Sequence, residues 1–116
     1  MEWLDSNDGK EESLAIDVAS AADEATASAM VSKGKNELEN GRTNQADRRF
    51  KKVIKKYGTT KAAGEARYLR GKILMTRGKW KKAFNTLQEV VTESPDFEEF
   101  NKVTGAQFEC ATALME

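Results

Sequence analysis

The chain has 116 residues, with 19 Lys and Arg against 19 Asp and Glu, one Pro, one Cys and no His, a length that fits one small domain. The missing histidine excludes a Ser-His-Asp triad, a Cys-His dyad, a His-containing zinc site and an imidazole general base. Hydrophobic residues at 39% and charged residues at 33% suit a modest core beneath a heavily solvated surface.

No run approaches the roughly 20 apolar residues of a membrane-spanning helix. The opening Met1-Glu2-Trp3-Leu4-Asp5 has neither the basic nor the apolar region of a signal peptide. A single cysteine, Cys110, cannot close an internal disulfide. Its neighbours Phe108, Ala111 and Leu114 stand in a helical pattern, which reads as a buried, unreactive thiol.

The zero net charge is a sum of unlike blocks. Residues 1–41 hold three basic and ten acidic residues, net −7; residues 42–82 hold fifteen basic residues against Asp47 and Glu65, net +13; residues 83–116 hold Lys102 against seven acids, net −6. A block this basic is either a docking surface for an acidic partner, nucleic acid or anionic lipid, or the complement of acidic flanks in the same chain or a second copy.

Residues 1–12 are polar and acidic with an Asn7-Asp8-Gly9 turn signal, and a disordered tail is expected there, Trp3 and Leu4 being its apolar exceptions. Residues 13–116 are expected to form a single helical domain. From Ser13 to Asn40 the chain is Ala-rich without Pro, and Leu14, Val18, Ala21, Ala22, Ala25 and Ala29 recur at helical spacing, as one helix or two with a break near Ser20. Gly41 is a stop signal. Thr43 or Asn44 can cap the next helix, whose apolar stripe is Ala46, Phe50, Val53, Ile54 and Tyr57 and whose opposite face is Arg48, Arg49, Lys51, Lys52, Lys55 and Lys56.

After Gly58, Thr59 or Thr60 opens a helix with Ala62, Ala63, Ala66, Leu69, Ile73 and Leu74 on its apolar face and Tyr68, Lys72 and Met75 along a neighbouring one. Gly78 with Lys79 marks a tight turn. Trp80 starts a helix with Ala83, Phe84, Leu87, Val90 and Val91 inward, closed by Ser94-Pro95. Asp96 with Glu99 reads as a capping box for a last helix from about Phe97. No C-terminal stop signal precedes Glu116, so a longer natural chain is expected.

Aligned on itself, the chain brings Gly34, Gly41, Ala46, Phe50, Val53 and Ile54 onto Gly71, Gly78, Ala83, Leu87, Val90 and Val91, each pair 37 residues apart. Stacked helix hairpins explain such a set: a small residue midway along the first helix admits the second, glycine makes the turn, and alanine sits at the crossing. The stretch Gly64 to Phe97, with Ala66, Tyr68, Gly71, Leu74, Gly78, Trp80, Ala83, Leu87 and Pro95, resembles the tetratricopeptide repeat family. Residues 27–60 are a weaker copy, with Thr43 for the usual aromatic and Gly58 for the usual proline, and residues 103–116 look like the first helix of a third.

The fold expected from this resemblance is an all-α helical-repeat solenoid of five or six helices. The 37-residue period and the phrasing of residues 50–72 are similar to repeats of bacterial envelope scaffolds, which implies an extracytoplasmic setting. What the family resemblance implies for function is a non-catalytic module that binds a peptide or partner helix in the groove lined by the first helix of each pair. Carried onto this chain, the groove residues are Val31, Lys35 and Leu38, then Tyr68, Lys72 and Met75, then Phe108, Thr112 and Met115. Lys35 and Lys72 stand in equivalent positions, suited to a ligand carboxylate; the aromatic rings are suited to apolar anchors.

Two other classes of function compare poorly with this. Nucleic-acid binding by Arg48, Arg49, Lys51, Lys52, Lys55, Lys56 and Lys61 lacks a stacking platform, because Phe50 and Tyr57 belong to the apolar stripe. For catalysis, Glu11/Glu12 and Glu98/Glu99 are adjacent in sequence and diverge around a helix, and no phosphate-binding loop is present. No cofactor or metal is expected. Two and a half repeats fall short of the roughly three that bury a continuous core, so either residues 13–29 cap the stack or two chains pair.

Overall fold

The computed structural model describes residues 20–116. The expectations placed on residues 1–19, including the acidic tail, Trp3, Leu4 and the helical positions Leu14 and Val18, lie outside the described residues. Five helices follow in order: α1 (Ala21–Glu39), α2 (Thr43–Lys56), α3 (Lys61–Thr76), α4 (Trp80–Glu93) and α5 (Phe100–Met115). Among the described residues there is no strand. The all-α solenoid expected from the repeat is the architecture found.

The 37-residue period has a structural counterpart at both hairpin turns. Gly41 (φ 77°) and Gly78 (φ 72°) occupy the left-handed region, where a β-carbon is penalised. Around Gly41, Arg42 N–H donates to Glu37 O (2.8 Å) and Gly41 N–H to Leu38 O (3.0 Å). Around Gly78, Lys79 N–H donates to Leu74 O (3.0 Å) and Gly78 N–H to Met75 O (2.9 Å). This paired pattern satisfies the last carbonyls of α1 and α3 and reverses the chain within two residues.

So short a turn corrects the expected cap of α2. Thr43 is already helical, and the cap position is Arg42, whose carbonyl accepts from Ala46 N–H at 3.0 Å without a side-chain cap. Lys79 plays the same part for α4. Where the loop is looser, hydroxyl caps do form: Ser20 Oγ accepts from Asp23 N–H (3.1 Å) and Thr60 Oγ1 from Ala63 N–H (3.2 Å).

Two further expectations are corrected. The buried stripe of α1 is Ala27, Val31 and Gly34, backed by Met30 and Leu38, while Ala21, Ala22, Ala25 and Ala29 are exposed. Alanines on several faces carry little directional information, and the few larger side chains decide which face goes in. The last helix begins at Phe100, not Phe97, and the Asp96/Glu99 capping box does not form. Phe97 N–H returns to Ser94 O (3.0 Å), and its ring packs on Tyr68 with centroids 5.9 Å apart.

Packing proceeds by nearest neighbours, as stacked repeats require. α1 and α2 with the start of α3 enclose one cluster, centred on Phe50, Val53, Val31 and Ala66. The end of α3 with α4 and α5 encloses a second, centred on Leu87, Val90, Val103 and Cys110. Two glycines set the hairpin spacing. A β-carbon on Gly34 would lie 2.5 Å from Phe50 Cε1, and one on Gly71 would lie 2.7 Å from Leu87 Cδ2.

Candidate functional site

The first helices α1, α3 and α5 touch in sequence, whereas α2 and α4 do not touch each other. The stack is therefore pinched on the first-helix side and splayed on the second-helix side. A cleft of about 300 Å³ opens on the pinched side between α1, α3 and the α4–α5 turn. Its floor is Val31, Ala62 and Phe97; Ser28 and Ser32 line it from α1. Around these stand five carboxylates, Glu24, Glu65, Asp96, Glu98 and Glu99, and two ammonium groups, Lys35 and Lys61.

Several of these charges answer one another. Lys35 Nζ lies 2.7 Å from Glu65 Oε1, and this hydrogen bond raises the lysine above its ordinary value. Glu24 Oε1 accepts the backbone N–H of Lys61 at 2.7 Å, an anion at the N-terminus of α3, where the helix dipole favours it. Glu99 pairs with Lys102 one turn on. Asp96 and Glu98 are exposed and have no ion-pair partner among the described residues.

The nine expected groove residues divide. Val31 and Lys35 line the cleft. Tyr68 is half-buried and packs on the cleft residue Phe97, while Lys72, also half-buried, is not part of the cleft lining. Leu38 packs against the first core cluster, and Met75, 7% exposed, lies in the second. Neither is part of the cleft lining. They sit one turn before a hairpin glycine, at the closed end where the second helix folds back over the first.

Phe108 (73% exposed), Thr112 and Met115 (86% exposed) are exposed on α5 and are not part of the cleft lining. With Ala66 and Ala106 in register, Leu114 and Met115 correspond to Leu74 and Met75. The latter pair is buried in the second cluster, whereas the former is exposed.

The basic block also divides, and largely by residue type. Arg49 Nε and Nη2 donate to the two carboxylate oxygens of Glu37 at 2.7 and 3.1 Å, tying α2 to α1. Asp47 accepts from Arg70 at 3.2 Å and stands 3.7 Å from Arg77, tying α2 to α3. Arg49 is thereby removed from the expected basic face: it borders Phe50 at the edge of the buried stripe, where its planar fork meets a carboxylate of the neighbouring helix. Arg48, Lys51, Lys52, Lys55, Lys56 and Lys61 are exposed and unpaired among the described residues. The first five lie along α2, on the splayed side.

The Arg49 hydrogen bond holds the Glu37 carboxyl below the usual carboxylate range. A depressed folded value contributes stability that is present above the unfolded value and lost as pH falls through the folded one. Thermal unfolding followed by circular dichroism should show a shallower acid limb for Glu37→Gln than for the parent, with the two curves parallel from mildly acidic to neutral pH. Identical acid limbs would show that this pair makes no contribution. Burial raises the Cys110 thiol, which agrees with an unreactive core cysteine.

Phe97 was not legible as a site-forming residue, nor Arg67 as a buried one. Arg67 is charged yet 6% exposed in the middle of α3. Phe97 belongs to the turn before α5, and only the Ser94-Pro95 break hints that a turn follows.

Two antiparallel helix hairpins joined to a further helix, with equivalent glycine turns, define an α-helical hairpin-repeat protein. A sequence model of the tetratricopeptide repeat matches residues 28–60 and 65–96. These matches span more than half of the chain, which belongs to the tetratricopeptide repeat family. Such repeats are generally protein–protein interaction modules. Comparison with curated proteins and with solved structures returned no match. No described helix is long and apolar enough to cross a membrane.

Proposed function

We propose that this protein is a non-catalytic interaction module that holds a peptide or partner helix on its first-helix side. The observation that carries this reading is the cleft between α1, α3 and the α4–α5 turn, where an apolar floor is ringed by polar and charged groups. Binding sites combine these features: apolar area supplies affinity, and a few placed polar groups supply orientation. Lys35 lines the cleft and Tyr68 packs on its Phe97, which supports this reading. Val31 contributes to the cleft floor from within the core.

Ser28 and Ser32 are exposed and line the cleft, so bulky residues there fill it without disturbing the core. Peptides selected by display on the parent protein should lose at least about tenfold in affinity on Ser28→Trp/Ser32→Trp. They should bind Lys51→Glu/Lys52→Glu undiminished, and both variants should melt like the parent. Selected peptides that bind the tryptophan variant as well as the parent would overturn the groove reading.

A second reading rests on a different observation. Arg48, Lys51, Lys52, Lys55 and Lys56 form an exposed strip on α2 without an ion pair to the acidic residues described. Such a strip suits an acidic partner through salt-sensitive contacts. Selection of peptides that depend on Lys51 and Lys52, and not on Ser32, would favour it.

A further inference from the structure

We infer that the segment held in the cleft is basic, a peptide presenting lysine or arginine side chains. The inference rests on the groove reading and reverses the chemistry that the equivalent lysines Lys35 and Lys72 suggest from sequence. The Lys35 ammonium group lies 2.7 Å from Glu65, so a ligand carboxylate would have to compete with that glutamate for it. Lys72 is not part of the cleft lining. Two cations that were to act together are separated in function by the fold.

What the cleft offers instead is an apolar floor under an excess of carboxylates, five against two lysines. The acidic groups come from three places: Glu24 on α1, Glu65 on α3, and Asp96, Glu98 and Glu99 on the α4–α5 turn. Two of them act on a shared neighbour. Glu65 and Glu99 both favour the charged form of Lys35, so carboxylates of α3 and of the α4–α5 turn act on one point of the cleft. Asp96 and Glu98 remain without an ion-pair partner among the described residues, at the rim where a ligand side chain would emerge.

Floor and rim together match one kind of side chain. The methylene stem of lysine or arginine covers apolar surface while its charged head stays at a wet, polar edge. Here the stem would lie on Val31, Ala62 and Phe97, with the head directed to Asp96 and Glu98. An acidic segment would meet like charge on three sides, which disfavours it both in encounter and in the bound state. The basic strip of α2 is on the splayed side of the same molecule, so it cannot fold into its own cleft. A second copy could present that strip, and the experiment separates this case.

The test is a nuclear magnetic resonance titration of the labelled full chain with two synthetic peptides of equal length and apolar content. One carries lysines at its charged positions and the other glutamates. The lysine peptide is expected to shift the amide signals of Ser28, Ser32, Glu65 and Asp96–Glu99, and to bind at least about tenfold more tightly than the glutamate peptide. Asp96→Asn/Glu98→Gln should lose about tenfold for the lysine peptide while keeping the parent melting curve.

Tighter binding of the glutamate peptide at the same amides would overturn the basic partner and leave the groove reading standing. Shifts outside the cleft, or none from either peptide at about 1 mM, would overturn both. Concentration-dependent shifts of the cleft amides without peptide, abolished by Lys51→Glu/Lys52→Glu, would replace the separate partner with a second copy of this chain.

Discussion

Phe50→Ala is expected to lower the unfolding free energy by about 3–5 kcal/mol, the range for removing a large aromatic from a closed core. The side chain is wholly buried and heads the larger fully buried residues. In a domain of this size the loss corresponds to a fall in melting temperature on the order of 20 °C. The more informative measurement couples it to Gly34, whose added β-carbon would lie 2.5 Å from the ring.

Gly34→Ala alone should destabilise: overpacking costs about 1–3 kcal/mol, which exceeds the gain of about 1 kcal/mol in helix propensity. In the Phe50→Ala background the obstruction is gone. The same substitution should then stabilise, by about 0.5–1 kcal/mol. A double-mutant cycle by urea denaturation measures this change of sign. Additive effects would show that the close approach of α1 and α2 does not depend on glycine.

Arg67→Ala is the second large effect, expected at about 2–4 kcal/mol. This arginine is 6% exposed and has no carboxylate partner among the described residues. Its Nη1 donates to Gly58 O (3.1 Å) and to Ser94 Oγ (2.6 Å), fastening the α2–α3 turn to the end of α4. Its Nε has no hydrogen-bond partner among the described residues, and burial lowers its affinity for the proton.

Truncation to alanine leaves a cavity and two acceptors without their donor. Arg67→Met keeps the stem and removes a desolvated charge, so its cost should be smaller, about 1 kcal/mol. Urea denaturation of both variants gives the comparison. Equal losses would mean that the stem contributes nothing and the hydrogen bonds everything; a loss under about 0.5 kcal/mol for alanine would show that the fastening is not needed.

Much of the fold was legible because the repeat writes the same physics twice. Gly34 with Phe50 and Gly71 with Leu87 are a pair of small and large residues at matching positions, and Gly41 and Gly78 are both turns. Two copies of one local solution point to one architecture without knowledge of any contact. Where that signal was absent, the reading failed. The Ala-rich first helix had no dominant stripe, and the Asp96/Glu99 spacing imitated a cap in a segment that turns so that Phe97 can reach Tyr68.

The site was less legible because it is made of relations between elements. Lys35 and Lys72 are equivalent in sequence and unlike in surroundings, since a glutamate from α3 reaches one and not the other. The basic block counts fifteen charges in sequence, but its arginines mostly face inward, to Glu37, Asp47, Gly58 and Ser94, while the lysines of α2 remain outside. Arginine's planar fork can meet a fixed acceptor across a helix interface; the strongly hydrated ammonium of lysine stays in water.

The sequence by itself determined the helices, their pairing into hairpins and the family, because these depend on periodicity, turn chemistry and residue size along one chain. Only the tertiary structure decided the sign of the cleft. The five carboxylates come from two helices and a turn that are far apart in sequence, and their fields add only where the stack brings these three elements around one opening.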